Sequence, residues 1–365
     1  MRILFLSKRF YTHRDLRKDR FGRLYHLPRE LAARGHSVAN WVLDFRTRES
    51  LQVTEDGVAY HHRPTPLNAI PLVFSPPIRE VTPWRPEIIV ASGHIHLGWI
   101  GYRIARSLQI PFIFDIYDYY PAFHPLIQRL TKPIFQNLCR RANGITVVSE
   151  ALRAKIAPWQ PNLCVLENGY NPTIFRPIPE ERAKLRGQFG IGEDESAIAF
   201  TGTISKELGI DILLQACEQI RRKGTPVRLL LAGALGRGFS PQDPRYNYLG
   251  CLPQSRVAEL LNAVDLGVIP SRPTKRVHYS NSCKLVEYLA CQLPVVATRT
   301  GDHQRILGAQ HPGLIPPEDP NSLAQAIQQQ LQNRVISPIP TQSTWESLAH
   351  TIDQFLVSQN QQSGA

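Results

Sequence analysis

Short apolar runs alternate with helical stretches along the whole chain, and this alternation constrains the fold more than any other feature. In the first half, strands are predicted over 2–7, 37–43, 87–92, 111–118, 144–149 and 164–168. Helical spacing fills the intervals over 24–34, 97–108, 127–142 and 150–157. Pro28 falls early in the first helix, and Gly35 ends it. The Pro-rich stretch 64–86 reads as loop with one short helix at most. After the linker PTIFRPIPEE the pattern repeats: SAIAFTG, VRLLLAG, NYLGCL, DLGVIP and PVVAT are strands, with helices over 209–223 and 255–263 and around Lys284. Buried strands joined by helices build parallel sheets covered on both faces. The expectation is an α/β chain of two Rossmann-like, doubly wound domains, over 1–170 and 171–340. A last helix and tail occupy 341–365, with Trp345, Leu348, Ile352 and Phe355 on one stripe.

At 365 residues with 42% hydrophobic content, the chain can fill two cores. No apolar run approaches the roughly eighteen residues that a membrane-spanning helix needs. The opening MRILFLSKRF is a strand followed by charge, unlike a signal peptide. Six cysteines without a CxxC pair suit reduced, buried thiols of a cytoplasmic protein. The formal net charge of +12 asks for an anionic partner: nucleic acid, a nucleotide-sugar or an anionic membrane face. No nucleic-acid module is visible, so nucleic acid is not expected. Lys8, Arg9, Arg14, Arg17, Lys18, Arg20 and Arg23 crowd the first loop against Asp15 and Asp19. The cluster is read as a solvated face, or its members Arg14, Arg17, Lys18, Arg20 and Arg23 as an acceptor or membrane contact.

Residues 280–298, SNSCKLVEYLACQLPVVAT, concentrate the chemistry. Ser280, Asn281 and Ser282 are capping residues before a helical run. A helix N-terminus carries unpaired N–H groups and a positive dipole end, so it attracts anions. Ser282, Cys283 and Lys284 begin that helix, and Glu287 lies on the face of Lys284. A cation and a carboxylate so placed can hold a phosphate and a sugar hydroxyl of one nucleotide. The alternative is a surface ion pair on a capped helix.

This stretch resembles the donor-binding helix of retaining glycosyltransferases of family 4, which have the GT-B fold and often carry P-x-K-x-x-E-Y-x-A-x-G-x-P-V-V-A. Lys284, Glu287, Tyr288, Ala290, Pro294, Val295, Val296 and Ala297 match, and Gln292 replaces a glycine. The resemblance implies two domains facing a crevice, a last helix crossing back to the first domain, and Glu287 bonding the donor ribose. It also implies a nucleotide base near Gly250 and Leu252, a hinge at Asn168 and Gly169, and a phosphate-approaching glycine at Gly22. Thr203 and Leu208 stand where the family has an arginine and a lysine that neutralise the donor diphosphate. Gly202 precedes that pair, and Lys206, Lys284 and the Arg272–Arg276 cluster are the available substitutes. Tyr279 replaces a glutamate that many relatives hold against the donor sugar.

In open α/β sheets, ligands sit beyond the carboxyl ends of the strands. There the resemblance implies that a histidine, His94 or else His96, meets the donor sugar, and Asp118 a reacting hydroxyl. His94 and His96 could also suggest a metal, but no further ligands follow at familiar spacing, so no metal and no cofactor are expected. Ser149 and Glu150 read as a helix cap. The expected activity is metal-independent, retaining sugar transfer from a nucleoside-diphosphate sugar to a hydroxyl acceptor, lipid-linked or membrane-proximal. The enzyme would be cytoplasmic or peripheral on the inner membrane face. A sugar-nucleotide epimerase of the same fold and a non-catalytic sugar-nucleotide or membrane-binding scaffold are the alternatives.

Overall fold

The computed structural model describes residues 1–11, 14–47, 50–65, 70–122 and 128–364. The chain divides into two compact units: Met1–Gly169 with Tyr279–Asn281 and Thr344–Ala365, and Tyr170–His278 with Ser282–Ser343. Each unit is built on one sheet.

The first unit runs β1 (Arg2–Lys8), a two-stranded ribbon of β2 (Phe10–Tyr11) and β3 (Arg14–Asp15), then α1 (Arg23–Ala33) and β4 (Ser37–Asp44). A hairpin of β5 (Leu51–Glu55) and β6 (Val58–Pro64) follows, then α2 (Ile70–Phe74) and α3 (Ile78–Val81). Next come β7 (Ile88–Ser92), α4 (Ile95–Leu108), β8 (Phe112–Ile116), α5 (Gln128–Arg141), β9 (Gly144–Val147), α6 (Glu150–Ile156) and β10 (Leu163–Val165). The eight strands order as β10-β9-β8-β7-β1-β4-β6-β5, parallel except for β5 against β6. The hairpin was absent from the sequence expectation. Its turn is Asp56-Gly57, both with positive φ, the geometry that a two-residue hairpin needs. The predicted start of α5 at residue 127 lies outside the described residues, as do 66–69 of the predicted loop.

The second unit contains α7 (Arg182–Gln188), β11 (Ser196–Thr201), α8 (Ile210–Arg222), β12 (Val227–Ala232), β13 (Asn247–Tyr248), α9 (Gln254–Ala263) and β14 (Leu266–Ile269). It continues through α10 (Lys275–Tyr279), α11 (Cys283–Ala290), β15 (Val295–Thr298), α12 (His303–Leu307), β16 (Leu314–Ile315) and α13 (Pro320–Gln332). Its sheet is wholly parallel, in the order β13-β12-β11-β14-β15-β16. The last helix, α14 (Trp345–Gly364), belongs to the first unit and is longer than its apolar stripe suggested. It packs on α1: Trp345 stacks on His26 at 5.1 Å, and Asp353 accepts from Arg34 at 3.0 Å and His36 at 2.8 Å.

Local chemistry explains two irregularities. Pro28 has no N–H, so the Leu24 carbonyl loses its helical donor. Asn40 of β4 donates to that carbonyl instead and accepts from Ser7 at 2.7 Å, both side chains buried. Gln292, at the position where the resemblance has glycine, adopts φ 52. It closes α11 as a left-handed cap, its N–H on the Leu289 carbonyl and that of Leu293 on Tyr288.

The basic first loop is not the open face that its composition suggests. Arg23 is 1% exposed; it donates to Asp115 at 2.8 Å and to the Leu166 carbonyl at 3.0 Å. Arg9 is buried between Asp15 and Asp44, and Arg17 pairs with Glu55. Arg14 lies 4.9 Å from the Phe21 ring, and Lys18 and Arg20 are exposed. Arg17 and Arg23 therefore leave the expected acceptor or membrane group, because buried or half-buried carboxylates hold them.

Thr146 also donates to Asp115, at 2.7 Å, so this carboxylate joins α1, β8 and β9. Asp115→Ala strands the Arg23 charge in the core and should cost about 3–5 kcal/mol in urea unfolding. Lys18→Ala, at an exposed turn, should stay within about 0.5 kcal/mol.

Candidate active site

Chain order reverses between β7 and β1 in the first sheet and between β11 and β14 in the second. Loops that leave the carboxyl ends of such a strand pair diverge to opposite faces and open a binding place. Both groups of predicted residues stand at these points.

In the first unit Lys8 ends β1, and His94 caps α4 just past β7. Lys8 Nζ and His94 Nε2 are 2.9 Å apart. With the ammonium charged, Nζ donates and Nε2 accepts, which puts the His94 ring proton on Nδ1. His96 stacks on His94 at 5.5 Å, and Tyr120 lies 5.0 Å from His94 on another side. Burial lowers the Lys8 pKa; Asp118 opposes this and Arg46 adds to it, so the carboxylate is part of the group. Burial, with Lys8 adding, pushes His96 down to about 4, which keeps it neutral near pH 7. Its Nε2 is buried without a hydrogen-bond partner among the described residues. In the sequence Lys8 was only one cation of the basic first loop, with no role of its own. The signal was its place at the end of β1, the strand beside the reversal.

Gly22 starts α1 at φ 70 and ψ −175, a conformation essentially reserved for glycine. Asn168 is held within the first unit: its N–H donates to Asn281 Oδ1 and its Nδ2 to the Asn281 carbonyl, both at 3.0 Å. Ser149 caps α6 by accepting from Leu152, and its hydroxyl donates to the Tyr279 carbonyl at 2.9 Å. Tyr279, where the resemblance implies a glutamate, packs its ring 5.0 Å from Tyr119. The tripeptide 279–281, which links α10 to α11, is thus tied by Ser149 and Asn168.

In the second unit three loops meet beyond β11, β12 and β13. The Gly233 N–H donates to the Gly250 carbonyl at 2.7 Å. A Cβ on Gly233 would stand 1.9 Å from the Gly202 carbonyl oxygen, so only glycine lets these loops approach. Lys284, in the first turn of α11, lies across Gly202: a Cβ there would meet Lys284 Cε at 3.3 Å. Its Nζ is 5.5 Å from the Phe200 ring centroid. Burial lowers the Lys284 pKa, Cys283 and Glu287 oppose that shift, and Arg276 adds to it. Ser282 caps the helix without a side-chain hydrogen bond, and its Oγ is buried with no partner among the described residues. The α11 N-terminus, a desolvated ammonium and an idle hydroxyl therefore converge where an anion fits.

Tyr288 seats the helix. Its hydroxyl accepts the Thr201 N–H at 2.9 Å at the end of β11. Gly267 on β14 makes the room, since a Cβ there would meet the Tyr288 ring at 2.4 Å. Thr203 is half-buried, and Leu208 packs against the Phe200 and Ile204 core. Of the expected cation substitutes, Arg272 is committed to Asp211 and Glu318, and Arg276 pairs with Glu207. Lys206 is exposed; its carbonyl accepts from Gly209 and Arg272. Lys284 is thus the substitute that stays beside Gly202, because nearby carboxylates hold the arginines. Leu252 is half-buried against the core of this unit. No group of three or more His, Cys, Asp or Glu side chains among the described residues is placed to hold a metal.

His303, absent from the sequence reading, is buried at the start of α12 with Nδ1 at 3.0 Å from the Thr298 carbonyl. Burial pushes it to about 4, the Thr298 carbonyl opposing and Lys284 adding. An unfolded histidine titrates near 6.5, so between about 6.5 and about 4 the unfolded chain binds more protons than the native one. Stability is therefore complete above about pH 6.5 and falls as pH drops toward 4. The urea midpoint should decline across that window, and His303→Asn should flatten the slope. An unchanged slope would mean that other groups carry it.

Two family models match the chain: "Glycosyl transferase 4-like domain" over residues 23–169 and "Glycosyl transferases group 1" over residues 195–333. A glycosyltransferase named for teichuronic acid biosynthesis, TuaC of Bacillus subtilis, is 23% identical over 273 residues, covering 73% of this chain and 67% of that protein. The D-inositol 3-phosphate glycosyltransferase of Segniliparus rotundus is 34% identical over 151 residues, or 38% of this chain and 32% of that protein, so the match spans about a third of its length. Among solved structures, sucrose-phosphate synthase of Thermosynechococcus elongatus superposes with a TM-score of 0.73 at 17% identity, covering 100% of this chain and 97% of the other. Anabaena HepE in complex with UDP gives 0.69 at 20% identity, covering 99% and 98%.

Proposed function

This chain belongs to the family 4 type of glycosyltransferases with the GT-B fold, and on that premise we propose that it moves a sugar from a nucleoside-diphosphate sugar to a hydroxyl acceptor with retention at the anomeric carbon. The observation that carries the proposal is the α11 N-terminus, with Lys284 desolvated across Gly202 and Glu287 three residues on. In this reading the diphosphate takes the α11 N–H groups and the Lys284 charge, and Glu287 accepts from the ribose hydroxyls. Lys284 takes over the charge neutralisation that Thr203 and Leu208 do not supply. HepE has been solved with UDP and with UDP-glucose, so uridine nucleotides are the first donors to screen.

The reaction breaks the bond between the anomeric carbon and the leaving phosphate oxygen, and the acceptor oxygen bonds that carbon on the same face. The acceptor proton passes to the departing phosphate. The protein's share is positioning and stabilising charge rather than supplying a nucleophile. His94 serves the donor sugar, and Asp118 orients the acceptor hydroxyl, with Lys8 setting the charge balance of both. The acceptor is lipid-linked or membrane-proximal, and transfer needs no metal.

Donor calorimetry combined with turnover tests this reading. Glu287→Ala should weaken donor binding tenfold or more in a folded protein. Asp118→Ala should keep donor binding and lose turnover by about 10²–10³-fold, since it acts on the reacting hydroxyl. The product linkage should keep the donor's anomeric configuration, and EDTA should leave the rate unchanged. Unchanged binding in Glu287→Ala would move the nucleotide elsewhere, and recovery by Mn²⁺ after EDTA would overturn the metal-independent mechanism.

A further inference from the structure

The correction to the first loop leaves the excess charge of the first unit to be placed elsewhere. Between residues 88 and 149 the only acids are Asp115 and Asp118, both at the carboxyl end of β8. The helices α4 and α5 carry no acid at all, but Arg103, Arg106, Arg129, Lys132, Arg140 and Arg141 on them are exposed. The same face holds the two most exposed large apolar side chains of the described residues, Phe74 at 72% and Leu130 at 71%, with Ile134 at 48%.

The pattern along α5 is orderly. Phe135, Leu138 and Cys139 face the core. Leu130, Ile134, Asn137 and Arg141 recur at helical spacing on an exposed stripe, and Arg129 and Arg140 are exposed to one side of it. At its far end lies a cleft of about 510 Å³ lined by Trp99, Tyr102, Arg103, Arg106 and Arg141 with Ile78. Arg141 donates to the Tyr102 hydroxyl at 3.0 Å. Arg103 donates to the Val73 carbonyl at 2.9 Å, which ties α2, and so Phe74, beside the cleft. The Arg106 guanidinium has no hydrogen-bond or ion-pair partner among the described residues. The Trp99 Nε1–H is buried without an acceptor among them.

We propose that this α4–α5 face, and not the first loop, docks the protein on an anionic phospholipid bilayer, with the arginine-lined cleft taking a lipid phosphate. The charge is complementary to such a surface throughout. Exposed leucine, isoleucine and phenylalanine interleaved with cations suit the boundary between headgroups and acyl chains, where both kinds of side chain find a partner. A nucleic acid would use the cations and leave the aliphatic side chains in water. The inference deepens the reading of a lipid-linked or membrane-proximal acceptor, and its test uses no nucleotide-sugar, so it can fail while donor binding stands.

Co-sedimentation of the full chain with vesicles decides it. Wild type should sediment with phosphatidylcholine vesicles containing phosphatidylglycerol at low salt, and not with phosphatidylcholine alone. Raising salt to 1 M should release it, because the screening length falls to about 3 Å. The Leu130→Ser/Ile134→Ser variant and the Arg103→Glu/Arg106→Glu variant should each bind at least tenfold more weakly with unchanged circular dichroism. An Arg14→Glu/Lys18→Glu/Arg20→Glu variant should bind as wild type does. Absence of wild-type sedimentation, wild-type binding in both α4–α5 variants, or loss only in the first-loop variant overturns the proposal. So does binding to a DNA oligonucleotide without binding to vesicles.

Discussion

The buried Arg23–Asp115 pair governs the first unit. A guanidinium at 1% exposure demands a carboxylate, and the carboxylate lies at the end of β8. Through Thr146 and the Leu166 carbonyl the same group also holds β9 and the segment after β10. Four chain segments are thus fixed at the carboxyl edge of the sheet, where Lys8, His94 and Asp118 stand. Breaking a buried pair costs far more than an exposed one contributes, so this edge is rigid for electrostatic as well as packing reasons.

The second unit treats its buried cation in the opposite way. Lys284 is desolvated, and Glu287 and Cys283 offset only part of the shift, so its pKa stays low. The arginines around it are committed to Asp211, Glu318 and Glu207. A cation paired by the protein shapes the fold, whereas one left partly uncompensated above a glycine platform favours an anionic ligand. Tyr288, Gly267 and the Gln292 cap hold α11 in that attitude.

Strand and helix order was legible because each element carries its own period and its own terminators, as in β1, α1 with Gly35, or Ser149 before α6. The α11 motif was legible because capping residues, Lys284 and Glu287 lie within one turn of each other in sequence. The β5–β6 hairpin was missed although Asp56-Gly57 announced its turn. The α13 helix was missed although Asp319 caps it and Pro320 starts it. Charge was the least legible property. Arg9, Arg17 and Arg23 look alike in a basic run, and only partners up to 92 positions away show that they are held by carboxylates. The Lys8–His94 contact, 86 positions apart, was hidden for the same reason.

The central claim is that Lys284 and the α11 N-terminus seat the donor diphosphate. A thermodynamic cycle on the ligand tests it most directly: the affinities of UDP and of uridine for wild type and for Lys284→Met, measured by calorimetry. The account predicts that removing the phosphates costs wild type at least tenfold more than it costs the variant, with uridine bound equally by both. An identical loss in the two proteins would show that the diphosphate never meets Lys284.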